Sequence, residues 1–487
     1  MNVYDIIPRP WEITLTDGYY VPDGEGLYIK IKDTMREDEY SLEISEKGVK
    51  IKAGGEQGIF YAKKTLELLS SEGKMQNCVI KDKPRFAYRG FMIDSVRHMQ
   101  TVEEIKTYIE AAALLKFNYF HWHLTDDQGW RIETEKYPLL NMVGSYRKSS
   151  DFGSVHTGEQ YGGFYTKDEI RDIVRFCRER FITVVPEFEL PGHCSAAIAS
   201  YPYLSCTGEQ IEVETRQGVY RNILCPSKET TFEFIRGVLD EITELFPGEY
   251  VHIGGDEAPK DRWKECPHCR SKLEELGLRD FEQLQGFLTN RAALYLESKG
   301  KTVIVWNESL KSGMLRKKTV VQNWMDKDKL CAPWVNGGGK MIVSDFYHYY
   351  LDYPYGMTPL NKTLSFEPVI KGIKPECESG VIGVEAPIWT EYIDNFEHMC
   401  YMCFPRLAAV AQTAWSHEKP KADDFAARCK SLCGVLENIG VSPASYEEWN
   451  PSPLKRAGQV VKFFAGNING DDVKNFLGIN KKKAKEQ

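Results

Sequence analysis

From Arg89 onward, short segments rich in β-branched and aromatic residues alternate with apolar-periodic helical stretches, and this alternation constrains the fold more than any single motif. The segments are RGFMIDSVR, YFHWHLTD, ITVVPEFEL, YVHIGGDE, TVIVWNE, TVVQNW, MIVSDFYHYYLD and VIGVEAPIWTE. Each is separated from the next by enough chain for a helical crossover, as parallel neighbours in a sheet require. Their succession predicts an α/β fold in which residues 84–418 form a (β/α)8 TIM barrel with enlarged loops. The connections from Gln128 to Thr166, Gly192 to Lys228 and Asp352 to Gly380 all follow strands. They therefore gather on one rim, where long loops shape pockets.

Upstream, the alternating segments LYIKIKD and GVKIKAG precede an apolar-periodic helix, GIFYAKKTLELLS from Gly58, so residues 1–83 read as a small α/β domain. Pro84, within KDKPRFAYRG, marks the linker into the barrel. After the closing helical run FEHMCYMCFPRLAAVAQTAW, residues 419–487 read as a helical extension. It ends in the basic tail KKKAKEQ, expected to be a solvated, frayed end.

Composition narrows the function classes. A net charge of −8 with no large basic patch disfavours nucleic acid, whose phosphates would be repelled. No signal-like N-terminus and no run of about 18 apolar residues occurs, so the expected setting is cytoplasmic, with no membrane partner. Thirteen scattered cysteines resemble reduced core thiols rather than a disulfide framework. Cys266–Cys269 (CPHC) and Cys400–Cys403 (CYMC) each have the spacing of half a zinc site. CYMC lies in an apolar helical run, however, and CPHC has no partner pair nearby in sequence. No metal and no cofactor are expected.

Reading only the ends of the proposed strands gives Arg97 and His98, Asp126 and Asp127, then Glu187 and Glu189 with His193 beyond. The series continues with Asp256 and Glu257, Trp306 and Glu308, Trp324, Tyr350 with Asp352, and Trp389 with Glu391. Adjacent carboxyl groups at a strand end suit general acid work, because a negative neighbour and partial desolvation keep one of them protonated near neutral pH. An arginine, several carboxylates and three tryptophans are the inventory of a sugar site: the polar groups take hydroxyls and indole faces cover the apolar pyranose face. His98 and His123 are expected to satisfy core hydrogen bonds, and Asp127 to be a structural acceptor. A rival reading makes His121 and His123, with Asp126, the ligands of a barrel metal. Another is a catalytically silent amino-sugar-binding protein on the same fold.

The ordered stretches RGFMIDSVRH, FHWHLTDDQGWR, EFELPGH, HIGGDE, VWNE, YYLD and GVEAPIWTEY resemble the family 20 glycoside hydrolases, the β-N-acetylhexosaminidases. The resemblance implies retaining hydrolysis without a carboxylate nucleophile, in which the substrate's own 2-acetamido oxygen attacks the anomeric carbon and forms an oxazolinium intermediate. It implies that Glu257 is the acid and base, that Asp256 orients the acetamido group, and that Tyr350 donates to its oxygen. Trp306, Trp324 and Trp389 would wall the sugar, while Arg97, Asp352 and Glu391 would hold ring hydroxyls. Asp126 and His193 would form a pair supporting Glu257. The implied partner is an oligosaccharide or glycoconjugate bearing a terminal β-linked GlcNAc or GalNAc, cleaved in exo fashion. The sequence leaves the oligomeric state open.

Overall fold

The computed structural model describes residues 5–22, 26–70, 73–153 and 155–467. The basic tail KKKAKEQ lies outside them. Near the N-terminus, β1 (Glu12–Tyr20), β2 (Leu27–Ile31), β3 (Tyr40–Ser45), β4 (Gly48–Ala53) and β5 (Met75–Asp82) form one sheet in the order β1-β5-β3-β4-β2. Alternation explains its buried face: Tyr40, Leu42 and Ile44 of β3 and Val49, Ile51 and Ala53 of β4 all turn inward. The helix Glu56–Leu69 covers that face with Ile59, Tyr61, Ala62, Leu68 and Leu69. By contrast, β2 pairs only with β4, and every residue of LYIKI is exposed, so its apolar positions bury neither face.

Eight parallel strands close the barrel: β6 (Tyr88–Asp94), β7 (Tyr119–His123), β8 (Thr183–Glu187), β9 (Tyr250–His252), β10 (Thr302–Trp306), β11 (Val320–Asn323), β12 (Lys340–Val343) and β13 (Val381–Ile388). Closure comes from β13 pairing with β6, from Gly383↔Tyr88 to Ile388↔Ile93. All eight predicted segments are barrel strands, but several end before their sequence pattern does. The largest difference is in MIVSDFYHYYLD. The strand stops at Val343, and Asp345 caps a helical turn, Phe346–Tyr349, by accepting from the Tyr347 N–H at 3.0 Å. A local side-chain cap outcompetes the strand-like alternation of FYHYY, so Tyr350 and Asp352 project from a loop rather than from a strand.

The barrel interior is apolar only at its base, where Val185, Ile304, Val320 and Ile342 pack with Tyr88. Above that layer runs a buried column of ion pairs. The Tyr88 hydroxyl donates to Glu385 Oε2 at 2.6 Å, and Glu385 Oε1 lies 2.8 Å from His121 Nδ1 and accepts from Gln322 Nε2 at 2.6 Å. His121 Nε2 is 3.1 Å from Glu187 Oε2, which also binds His123 Nδ1. Glu187 Oε1 accepts from Trp306 Nε1 at 2.9 Å and sits 2.6 Å from His252 Nδ1. Burial opposes charge on His121 and His123, but the carboxylates outweigh it. Glu385 and Glu187 raise His121 to about 10, and Glu187 and Asp126 raise His123 to about 9. These histidines face carboxylates on both ring nitrogens, the arrangement of a salt-bridge core rather than the open donor pair that the metal reading of HWH requires.

A second buried node joins the small sheet to the barrel. Asp82, the last residue of β5, accepts from Lys116 Nζ at 2.8 Å, Tyr40 Oη at 2.6 Å and Trp415 Nε1 at 2.7 Å. Beyond the barrel, the helices Ala422–Asn438, Tyr446–Trp449 and Pro453–Asn467 form the C-terminal extension. The last of these returns to the rim, where Phe463 packs against Tyr353 and Tyr392. Cys400 and Cys403 are buried at the end of the helix Phe396–Cys403, while CPHC acquires partners in space that its neighbourhood in sequence does not offer: Cys206 and Cys225. Among the described residues no helix is long and apolar enough to cross a membrane.

The charged state of His121 has a thermodynamic signature. A base whose folded pKa is raised stabilises fully below its unfolded value, near 6.5, and loses that contribution as pH rises through the folded value, here about 10. His121→Asn should therefore destabilise by roughly 3–5 kcal/mol at pH 6.5, and the deficit should shrink toward pH 10. Thermal melts of both proteins across that range check this; a deficit that stays constant with pH would show that His121 is neutral in the fold.

Candidate active site

The run HIGGDE carries the chain off β9 and into the rim. Gly254 and Gly255 adopt φ of +60° and +108°, and a side chain on either would collide, with the Glu189 carboxylate or with Ser309 Oγ respectively. Glu257 follows at φ +42°, in the left-handed region that costs a non-glycine residue about 1–3 kcal/mol. Its backbone is held there by a 2.8 Å hydrogen bond from its N–H to Glu308 Oε2, and the Gly255 carbonyl accepts from Gln285 at 2.7 Å. This tight path places the Asp256 and Glu257 carboxyls together against His193, whose Nε2 lies 3.8 Å from Asp256 Oδ2 and 3.7 Å from Glu257 Oε2. His193 itself sits at φ +51°.

Behind His193 stands a chain of charges. His193 Nδ1 contacts Asp126 Oδ1 at 3.1 Å and Asp127 Oδ2 at 3.2 Å. Asp126 Oδ2 takes Arg97 Nη2 at 2.7 Å and His123 Nε2 at 2.9 Å, so the site is continuous with the ionic column inside the barrel. Asp127 also accepts from the Ser195 N–H and hydroxyl, at 2.9 and 2.6 Å, fixing the start of the short helix Ser195–Ser200. Arg97 is anchored further by Asp94 at 3.2 Å and Gln128 at 2.8 Å. Burial opposes protonation of His193, yet Asp126 and its neighbours hold it well above the ordinary range.

The electrostatics of the acid pair follow from enclosure and crowding. Burial raises Asp256 to about 8; the His193 cation opposes this, while Glu308 and Glu257 reinforce it. Glu257 is raised for the same leading reason, although 39% of its side chain is accessible at the pocket mouth. Both carboxyls therefore hold a proton more readily than a free carboxylic acid does. One can then act as an acid where a free carboxylic acid would be fully ionised.

The cleft they open into has a volume of about 200 Å³. Arg97, Asp126, His193, Asp256, Glu257, Trp324, Tyr350, Asp352, Trp389 and Glu391 all line it, so ten of the eleven residues expected at the site from sequence meet in one cavity. Trp306 differs: it is 1% exposed and packs beneath the lining against Trp389 and His252, with its N–H committed to Glu187. It supports the wall rather than forming it. Asn307, next to it, holds the Trp324 backbone N–H at 3.0 Å. Tyr350 stacks on Trp324, and buried Arg406 binds the carbonyls of Leu351 and Tyr353, which fixes Asp352 between them. His98 is buried outside the cleft, bound to the Thr390 carbonyl.

Glu189, Gln217, Phe346, Tyr353 and Tyr392 also line the cleft and are absent from the expected set. Glu189 carried a readable signal, a second carboxylate two residues past a strand end. Gln217 lies deep inside a long loop and carried none. Tyr353 and Tyr392 each directly follow a site residue, Asp352 and Glu391, but nothing in the pattern separates them from rim packing.

Known proteins resemble this chain along most of its length. Residues 86–418 match the description "Glycosyl hydrolase family 20, catalytic domain", and residues 21–83 match "Glycosyl hydrolase family 20, domain 2". A beta-hexosaminidase of Porphyromonas gingivalis is 38% identical over 86% of this chain; the chain spans only 56% of that relative's length. A beta-hexosaminidase of Akkermansia muciniphila is 35% identical over 79% of this chain and 80% of its own. The structure of a GH20 exo beta-N-acetylglucosaminidase from Vibrio harveyi, in complex with N-acetylglucosamine, superposes with a TM-score of 0.83 at 31% identity, covering 91% of this chain and 79% of that one.

The dependence of His193 on Asp126 is directly measurable. Asp126→Asn keeps the shape and removes the charge, so the His193 pKa should fall by roughly 1–3 pH units, read by NMR of ring-labelled histidine. An unchanged titration would mean that Asp126 does not govern the His193 proton.

Proposed function

We propose that this chain, which belongs to glycosyl hydrolase family 20, is a retaining exo-β-N-acetylhexosaminidase that removes terminal, non-reducing β-linked GlcNAc, and GalNAc where the loops permit, from oligosaccharides or glycoconjugates. The observation that carries the exo reading is the gradient of exposure along the cleft. Glu257 stands at the mouth with 39% of its side chain accessible, whereas the Arg97 side chain is 7% exposed and Asp352 is 5% exposed, at the closed end. A sugar bound in the closed end presents its anomeric bond to the acid at the mouth, and the rest of the glycan extends outward.

In the assigned mechanism, the acetamido N–H of the substrate donates to Asp256. That hydrogen bond favours the ionised form of Asp256, while Glu257, raised by burial, keeps its own proton. The acetamido carbonyl oxygen, oriented by Tyr350 and enclosed by Trp324 and Trp389, attacks the anomeric carbon as Glu257 protonates the departing glycosidic oxygen. Asp256 offsets the positive charge that develops on the oxazolinium. Water then attacks the same carbon from the vacated face, giving its proton to the Glu257 carboxylate, and the ring opens with net retention. Arg97, Asp352 and Glu391 take the sugar hydroxyls, and His193 with Asp126 holds the Glu257 carboxyl in place. The match to proteins described as hexosaminidases supports this reading over a silent sugar-binding protein, as does the presence of both Asp256 and Glu257. The thirteen cysteines, none in a disulfide, support a reducing, cytoplasmic setting.

Two chromogenic β-glycosides, one of N-acetylglucosamine and one of glucose, test the reading. Only the acetamido sugar should be cleaved, because glucose offers no internal nucleophile; equal cleavage would overturn it. Glu257→Gln should lose roughly 10²–10⁴-fold on a glycoside whose leaving group needs protonation and much less on one with an acidic phenol, and equal losses would remove the acid role. The alkaline limb of kcat/KM for the native chain should lie above the range of an unperturbed carboxylic acid, because burial raises Glu257. An alkaline limb complete by pH 6, as for an unperturbed carboxylic acid, would contradict a raised Glu257.

A further inference from the structure

We propose that Cys206, Cys225, Cys266 and Cys269 form a structural zinc site that staples together the two loops carrying His193 and the Asp256–Glu257 pair. The four sulfurs all lie within 4.8 Å of one another. Cys206 Sγ is 3.7 Å and Cys225 Sγ 3.6 Å from Cys269 Sγ. Four thiolates placed about 2.3 Å from a tetrahedral zinc are about 3.8 Å apart, close to the two separations at Cys269 and within the 4.8 Å that bounds the whole set. A disulfide would bring one pair to about 2.05 Å, and all four thiols are unbridged.

The local fold explains the convergence of residues so far apart in sequence. The bridge Ser205↔Leu224, with the Cys225 N–H on the Leu204 carbonyl at 2.8 Å, sets Cys206 and Cys225 side by side. Cys266 caps the helix Pro267–Glu275, with Pro267 in its first turn, and the two-residue spacer brings Cys269 round to the same side. Ser227 Oγ lies outside the cage, 3.0 Å from Cys225 Sγ, and accepts from the Cys269 thiol at 3.6 Å. Cys225, Cys266 and Cys269 are buried and Cys206 is half-buried, so the cage is sheltered with one side open for metal entry.

Four protein ligands leave no open coordination position, which makes the site structural rather than catalytic. Its mechanical place is clear. Ile223, Trp263 and Leu284 form a small apolar cluster with these cysteines, separate from the main core, and Ala258, the residue after Glu257, packs against it. Trp263 Nε1 donates to the Leu224 carbonyl at 3.0 Å, and the Leu224 N–H donates to the Pro191 carbonyl at 2.9 Å, two residues before His193. So few apolar side chains make a marginal core, the situation in which a bound metal contributes folding energy directly. The proposal does not depend on the glycosidase reading, since its readout is metal content.

The experiment is elemental analysis of the full chain, purified without metal-affinity resin from cells grown with zinc, with sulfhydryl titration in the native state. One zinc per folded chain is expected, released in step with titration of four thiols, and zinc-edge absorption should give four sulfurs at about 2.3 Å. Cys206→Ala and Cys269→Ser should each lose most of the zinc, while Cys400→Ala, in the CYMC helix, should keep it. Should the variants fail to fold, cobalt(II) substitution of the native chain gives the same answer through the visible bands of a tetrahedral thiolate site. A folded native chain with under a tenth of a zinc per molecule, iron in its place, or a Cys206–Cys269 or Cys225–Cys269 disulfide by mass spectrometry would overturn the assignment.

Discussion

Glu187 is the residue on which the rest of the molecule depends. It sits fully buried at the barrel axis and binds His121, His123, His252 and Trp306 through its two oxygens. A lone carboxylate in that position would neutralise rather than remain charged; here surrounding bases hold it well below the usual carboxylate range despite burial. The barrel interior is thus built as alternating charges running from Tyr88 and Glu385 at the base, through His121, Glu187 and His123, to Asp126 and Arg97 at the rim. Such a column stabilises less per contact than hydrocarbon would, and removing one partner costs several kcal/mol. Its gain is geometric, because each group fixes the orientation of the next, and Asp126 reaches His193 already in place.

The acid pair completes that chain through strain as much as through charge. Glycine at positions 254 and 255 is imposed by neighbouring side chains as well as by φ. Glu257 and His193, both in the left-handed region, meet across the cleft because two separate loops hold them there. Rigid anchoring of both loops keeps a strained acid pointed at the cleft mouth. The hydrogen bond from the Glu257 N–H to Glu308, the contact of Lys260 with Gln285, and the small cysteine-lined core after Ala258 all serve that end.

Much of this was readable in the chain. The eight strands, their order and the side of the barrel that bears the site follow from period, spacing and the rule that strand ends carry chemistry, and the resemblance to the family 20 motifs singled out the ten cleft residues among the strand-end groups. What misled was local. FYHYY alternates like a strand but turns as a helix because Asp345 caps it, and Trp306 has the composition of a sugar platform but points its N–H into the core. Gln217, Phe346 and the helix Pro453–Asn467 behind Tyr353 and Tyr392 reach the cleft through loop paths and a C-terminal return that no periodicity encodes.

The same division separates what the sequence by itself determined from what only the tertiary structure decided. Alternating strand and helix patterns, the glycine pair and the neighbouring carboxyls are short-range properties, set by side-chain sterics and spacing, and they define the barrel and the acid pair. Which histidines are charged, which carboxyls are raised, which tryptophan faces the ligand and which cysteines converge are long-range properties. They depend on enclosure and on distances between residues up to hundreds of positions apart, as between His121 and Glu385 or Cys206 and Cys269. Coulomb energies and desolvation act through space, so only the closed barrel and its packed loops could assign them.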